Sequence, residues 1–139
     1  MIALTEEMKA MLATSLADGN PVMVATALAN GVPDVVFKGS VMVWDSEHLA
    51  FWERSHGQTE LALKENPKIC LLYRNPAARK TWKFVGVAEL HPSGELRDAV
   101  MARTVQAELD RDPERKGTAV IIRVDKVIET RKVIMQREA

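Results

Sequence analysis

The chain has 139 residues, room for one domain with its own hydrophobic core and too few for two ordinary ones. Hydrophobic residues make up 47%, as in globular proteins, and no apolar run approaches the roughly 20 residues that a bilayer-spanning helix needs. Lys and Arg together number 19, and Asp and Glu also number 19, so neither nucleic acid nor an anionic membrane is the expected partner.

The opening stretch Met1-Ile2-Ala3-Leu4-Thr5-Glu6-Glu7 has neither the basic nor the apolar region of a secretory signal, and a cytoplasmic location is the expectation. Thr5 is placed to cap a first helix with Glu6 and Glu7 near its positive end. Met8, Met11, Leu12 and Leu16 share one face of it, and Asp18-Gly19-Asn20-Pro21 stops it. Val22 to Leu28 reads as a short strand. Asn30-Gly31 is a hairpin turn, so a strand returns antiparallel from Pro33 towards Ser40, with Val41 to Trp44 as its extension past a bend at Gly39. After the turn Asp45-Ser46-Glu47-His48, Leu49 to Glu53 forms the next strand.

A short helix is expected between Gly57 and Glu65, with Leu61 and Ala62 or Leu63 inward, ended by Asn66-Pro67. Strands follow at Lys68 to Tyr73 and Thr81 to Leu90, separated by the basic loop Arg74 to Lys80. Cys70, the lone cysteine, sits among Ile69, Leu71 and Leu72 and reads as a buried strand thiol. Ser93 is placed to cap a second long helix running to about Leu109, with Met101, Val105 and Leu109 on one face. Thr118 to Ile128 is a last core strand, and Lys132 to Met135 an edge strand or tail. Antiparallel strands with short turns and a few inserted helices indicate a mainly β (α+β) chain built around a barrel.

Side-chain chemistry is sparse. His48, His56 and His91 are scattered without metal-ligand spacing, no G-x-S-x-G elbow or G-x-x-x-x-G-K-S/T loop is present, and no G-x-G-x-x-G follows a strand. No acid/base pair stands out among the carboxylates, so no catalytic side chain is assigned; if this is an enzyme, a cofactor carries the chemistry. Three features remain. Arg54-Ser55-His56-Gly57-Gln58-Thr59 precedes a helix, where free N–H groups and the helix dipole suit a phosphate, although a simple N-capping loop reads the same way. Lys38-Gly39-Ser40 interrupts an apolar strand, either as a β-bulge or as a place where a flat ring approaches the backbone between two polar side chains. Trp52 and Trp82 are core residues or the flanks of an aromatic ligand, and Arg74, Arg79, Lys80 and Lys83 form a basic face.

Taken in order, Pro33-Asp34-Val35-Val36-Phe37-Lys38-Gly39-Ser40, Leu49-Ala50-Phe51-Trp52-Glu53-Arg54-Ser55, Gln58-Thr59, Leu63 to Leu72 and Phe84-Val85-Gly86-Val87-Ala88-Glu89-Leu90 resemble the pyridoxamine 5′-phosphate oxidase-like, flavin-binding split β-barrels. The resemblance runs from Leu12 to about Val127. It implies a split antiparallel β-barrel with a few helices, homodimeric, with two flavin mononucleotide (FMN) sites at the subunit interface. Phe37, Lys38, Gly39 and Ser40 would line the ring and ribityl chain; Phe51, Trp52 and Glu53 would continue that wall; Arg54, Gln58 and Thr59 would serve the phosphate. Trp82 and Lys83 would reach across from the partner. Gln58-Thr59 stands where the founding enzymes often have Arg-Lys, and their C-terminal Trp- and Arg-containing segment has no counterpart here, which points away from the vitamin-processing oxidase itself.

The expected function is therefore hydride or electron transfer through FMN to a small-molecule substrate, with Lys38 tuning the flavin potential. Other readings on the same fold are a deazaflavin-dependent reductase and a non-catalytic flavin- or haem-binding protein, with His48 or His56 as the haem ligand. A small barrel binding single-stranded nucleic acid is disfavoured by the balanced charge.

Overall fold

Thr5 caps helix α1 (Glu6–Ala13) as its position suggests, its hydroxyl accepting the Met8 N–H at 3.1 Å. The computed structural model describes residues 1–138. Met8 and Leu12 are the buried side of α1. The helix ends at Ala13, short of Leu16, and the chain winds through turns to Gly19, whose positive φ of 76° completes the reversal.

Strand β1 (Val22–Ala27) alternates buried and half-buried residues, the period-two pattern of a strand with one face on a core. It pairs antiparallel with β2 (Pro33–Lys38) around the Asn30-Gly31 turn. Val41 onward does not extend β2. Met42–Asp45 is a separate strand, β3, which pairs with β4 (His48–Glu53). Helix α2 (Gln58–Glu65) then buries Ala62 and Leu63, while Leu61 is 50% exposed and faces out, contrary to the sequence expectation. The remaining strands are β5 (Lys68–Asn75), β6 (Lys80–His91), β7 (Thr118–Glu129) and β8 (Lys132–Gln136), the last paired to β7.

The strand order is β2-β1-β5-β6-β7-β4-β3, antiparallel throughout. The ends of that path, β2 and β3, follow one another in sequence yet do not pair, which is the split of a split barrel. Val24, Leu49, Phe51, Leu71, Phe84 and Ile122 fill the interior at 0–1% exposure, closed by Met8 and Leu12 of α1. A smaller apolar cluster lies on the other face of β4 and β7 and includes Ala50, Trp52, Ala119 and Ile121.

That second cluster is covered by two helices where the sequence suggested one: α3 (Glu95–Arg103), with Gly94 rather than Ser93 at its N-cap, and α4 (Gln106–Leu109). The break is at Thr104, which is extended (φ −70°, ψ 139°) and whose hydroxyl donates to the Val100 carbonyl at 2.7 Å, closing the last turn. Val100 and Leu109 still reach the cluster from either side of the break.

The outer face of the remaining strands carries a part-exposed apolar row. One cross-strand row runs Phe37, Met23, Leu72, Lys83, Ile128, Val133 across six strands. Phe37 is 67% exposed, and apart from Lys83 every member is apolar. Among the described residues no helix is long and apolar enough to cross a membrane.

Candidate functional site

The split brings the ends of β2 and β4 together. Lys38 Nζ lies 2.6 Å from Glu53 Oε2, an ion pair that bridges strands with no backbone ladder between them. The Glu53 side chain is fully buried; its Oε1 accepts the Ser55 N–H at 3.1 Å and the Ser55 hydroxyl at 2.6 Å. Oε2 has no partner with hydrogen-bond geometry, so the Lys38 charge alone balances it. Ser40 is committed to the backbone: its hydroxyl accepts the Trp52 N–H at 3.0 Å and donates to the Trp52 carbonyl at 3.2 Å, standing in for a ladder rung at the split.

Phe51 and Trp52 are buried, Phe51 inside the barrel and Trp52 in the second cluster. The Trp52 indole donates to Asp112 Oδ2 at 2.9 Å, and the Arg97 guanidinium lies 4.9 Å from its ring centre. Gly117 packs against the indole so closely that a Cβ there would clash with it. Trp82 likewise points inward, 1% exposed, donating to Glu129 Oε1 at 2.8 Å and stacked on Tyr73 at 5.6 Å. Both indoles are packing residues of their own chain, leaving Lys83 as the exposed member of the Trp82-Lys83 pair.

Arg54, Ser55 and Gln58 surround the start of α2; Ser55 and Gln58 are exposed and Thr59 is buried. Gly57, the N-cap residue, supplies no side-chain acceptor to the first-turn N–H groups. Lys38 and Ser55 are taken up by Glu53 and Arg54 Nε by Glu108, so the donors that suit a phosphate are the remaining Arg54 N–H groups, Gln58 and the first-turn N–H groups. For the flavin ring the fit within one chain is partial. Phe37 offers an exposed face beside Lys38, but the cleft lined by Phe37, Lys38, Gly39, Trp52 and Arg54 holds only about 50 Å³. A larger groove of about 610 Å³ lies elsewhere, beside α3, with Trp44, His48, Val87, His91, Leu96 and Arg123 in its walls.

Sequence reading missed a network that ties down the α2 turn. His56, in a left-handed conformation at φ 50°, places Nδ1 2.8 Å from Glu60 Oε2 and Nε2 2.8 Å from the Lys116 carbonyl. Both partners are acceptors, so the geometry favours the imidazolium, in which both ring nitrogens donate. Its pKa is raised from 6.5, chiefly by the Glu60 hydrogen bond. For Glu60, burial opposes ionisation, but the bonds from His56 and Thr118 outweigh it and the pKa falls below 4.5. The i, i+4 spacing of His56 and Glu60 was visible in the sequence; the 60-residue reach to Lys116 was not. With both nitrogens engaged, His56 is not free to ligate haem, whereas His48 uses only Nδ1, towards Asp45 at 2.8 Å.

This network makes stability pH-dependent with a defined sign. The raised His56 pKa gives stability that is complete below about 6.5 and lost as pH rises through the folded value. The lowered Glu60 pKa gives stability present above about 4.5 and lost as pH falls through its folded value. Urea midpoints of wild type and His56→Gln should therefore differ most at about pH 5–6 and converge as the pH rises past neutrality. A difference that grows with pH excludes the imidazolium clamp.

Among the described residues no group of three or more His, Cys, Asp or Glu side chains is arranged to hold a metal. Residues 4–131 match the family model for pyridoxamine 5′-phosphate oxidase. No curated protein matches the sequence. Among solved structures, the chain is similar to HupZ of Group A Streptococcus, at 25% identity and TM-score 0.73 over 97% of this chain and 99% of that one. It is similar to a candidate pyridoxamine 5′-phosphate oxidase from Lactobacillus delbrueckii, at 26% identity and TM-score 0.71 over 92% and 95%. An FMN-binding protein from Syntrophomonas wolfei, 15% identical, shares the fold with TM-score 0.64 over 90% of each chain.

Proposed function

Because the chain belongs to the pyridoxamine 5′-phosphate oxidase family, we propose that it is an oxidoreductase that binds FMN between two copies of itself. The observation that carries this reading is the start of α2: a helix N-terminus without a side-chain cap, with exposed Gln58 in its first turn and the Arg54 guanidinium just before it. Arg54, Gln58 and the first-turn N–H groups would hold the phosphate, and Phe37 one side of the ring, Ser55 being committed to Glu53. The part-exposed row from Phe37 to Val133 begins at this point, and a second copy covering it would supply the missing wall. Lys83, exposed in the middle of the row, would be the residue of the Trp82-Lys83 pair that reaches across. Exposed Phe37 and Val133 at the ends of a largely apolar row support reading it as an interaction surface.

When bound, the flavin supplies the hydride or electron transfer. The chain's residues fix its phosphate, exclude water from the ring and place a cation near it. The substrate would be a small molecule entering beside the ring, and a cytoplasmic location would suit the redox partners of such a protein.

Reconstitution with FMN tests the proposal. The wild type should sediment as a dimer and retain stoichiometric FMN, with the twin near-ultraviolet and blue absorption bands of an oxidised flavin. Phe37→Asp puts a charge at the start of the apolar row and should give a monomer with at least about tenfold weaker FMN binding, roughly 1.4 kcal/mol. Full flavin retention by a folded monomer rules out the shared site. Retention of a deazaflavin but not FMN would favour the reductase alternative, and a Soret band after haem addition, lost in His48→Ala, the haem-binding one.

A further inference from the structure

Just as Glu53 pairs with Lys38 and Ser55, Glu108 is the acidic side chain that pairs with Arg54 at the candidate phosphate site. Its Oε2 accepts from Arg54 Nε at 3.0 Å. Its Oε1 lies so near Gly39 that a Cβ there would come within 2.5 Å of it. The residue is 8% exposed and narrows the cleft beside Phe37, Lys38 and Trp52 to about 50 Å³, far below the few hundred Å³ usual for a ligand site.

We infer that Glu108 is an internal stand-in for the ligand's phosphate, displaced from Arg54 when a phosphomonoester binds. This inference rests on the phosphate reading of the site.

A neighbouring carboxylate shows what a permanent structural role looks like. Asp112 accepts from the Trp52 indole at 2.9 Å and from the backbone N–H groups of Lys116 and Gly117 at 3.0 and 2.9 Å, so both of its oxygens are occupied. Glu108 has the Arg54 bond alone, although a carboxylate has about four acceptor positions. A group held by one contact to a partly exposed arginine exchanges readily. The backbone beneath it need not move, because buried Leu109 and the Asp112 turn anchor α4 while the Glu108 side chain rotates. A phosphate brings more charge and more acceptor oxygens to Arg54 than the carboxylate it replaces. Glu108 thereby acts as a specificity filter: ligands with the same ring but no phosphate gain nothing from releasing Arg54.

The test is a fluorescence titration of wild type and Glu108→Gln with FMN and with riboflavin, the same ring without the phosphate. The amide keeps the volume and loses the charge. FMN should bind Glu108→Gln about tenfold more tightly, and riboflavin equally to both. In the wild type, the Arg54 Nε–H resonance should shift as FMN saturates, a readout that needs no variant to fold. Equal or weaker FMN binding by folded Glu108→Gln, equal tightening for riboflavin, or an unmoved Arg54 resonance overturns the exchange while leaving FMN binding in place. No FMN binding by either form overturns the proposed function, and the exchange with it.

Discussion

Gly86→Ala should lose about 4 kcal/mol of stability or more, enough to lower the melting temperature by roughly 15 °C or to leave the protein insoluble. Gly86 lies in the middle of β6 at the point where its register against β7 shifts. A Cβ at this position would fall inside the carbonyl oxygen of Arg123 and within 3.1 Å of Ile122 Cγ2. The obstruction is backbone, so no rotamer change relieves it. Nor can β6 move away, because Gly86 is also paired with Ile69 of β5 on its other side. The only relief is to pull apart two ladders at the centre of the barrel wall. Gly57→Ala is the matched control: its Cβ would meet nothing closer than Ser55 Oγ at 3.7 Å, and a change within about 1 kcal/mol is expected. If Gly86→Ala melts within a few degrees of the wild type, the close approach of β6 and β7 is wrong.

Lys38→Ala should cost about 3 kcal/mol, because it strands the fully buried Glu53 carboxylate with no charge opposite Oε2. The side chain of Lys38 is 14% exposed, so some water can reach the vacancy, and the cost falls below that of a pair sealed in the core. Lys38→Met combined with Glu53→Gln should recover most of the loss: the amide oxygen still accepts from Ser55, and no charge is left uncompensated. A urea double-mutant cycle measures the coupling; a single-variant loss below about 1 kcal/mol would mean that the split is closed by packing alone. The same pair bears on how Lys38 would act on a flavin held as proposed. Its charge is balanced by Glu53, so removing it would leave an uncompensated carboxylate, and the midpoint potential of any FMN bound beside it should fall.

Much of the architecture was legible in the sequence because local chemistry dictates it. Thr5, Asn30-Gly31 and Asn66-Pro67 mark a cap, a hairpin and a helix stop through geometry that each imposes on its own neighbours. The misreadings share the opposite character. Val41 to Trp44 has the composition of a strand wherever it goes, and nothing local says that it crosses the split to join β4 instead of prolonging β2. The α3–α4 break falls at Thr104, whose hydroxyl turns back on Val100, and Val100 and Leu109 meet in the second cluster from either side of it, a packing that no local signal announces. Leu61 and Leu63 carry the same side chain, and the packing of α2 alone decides which is buried.

The candidate site divides the same way. The order of Lys38-Gly39-Ser40, Trp52-Glu53-Arg54 and Gln58-Thr59 was enough to identify the family, since order and spacing are properties of the chain. Which of those residues remain available to a ligand was not in the order at all. Ser40, Trp52 and Trp82 are drawn inward because a buried polar atom must find a partner and a large apolar ring is most stable out of water. Glu108 and Lys116 enter the site from far along the chain, through the packing of α4 and the loop before β7. By itself, then, the sequence determined the strand and helix types and the family. Tertiary structure alone decided which polar groups are already satisfied and which stay open, because a hydrogen bond between residues 60 positions apart exists only once the barrel has brought them together.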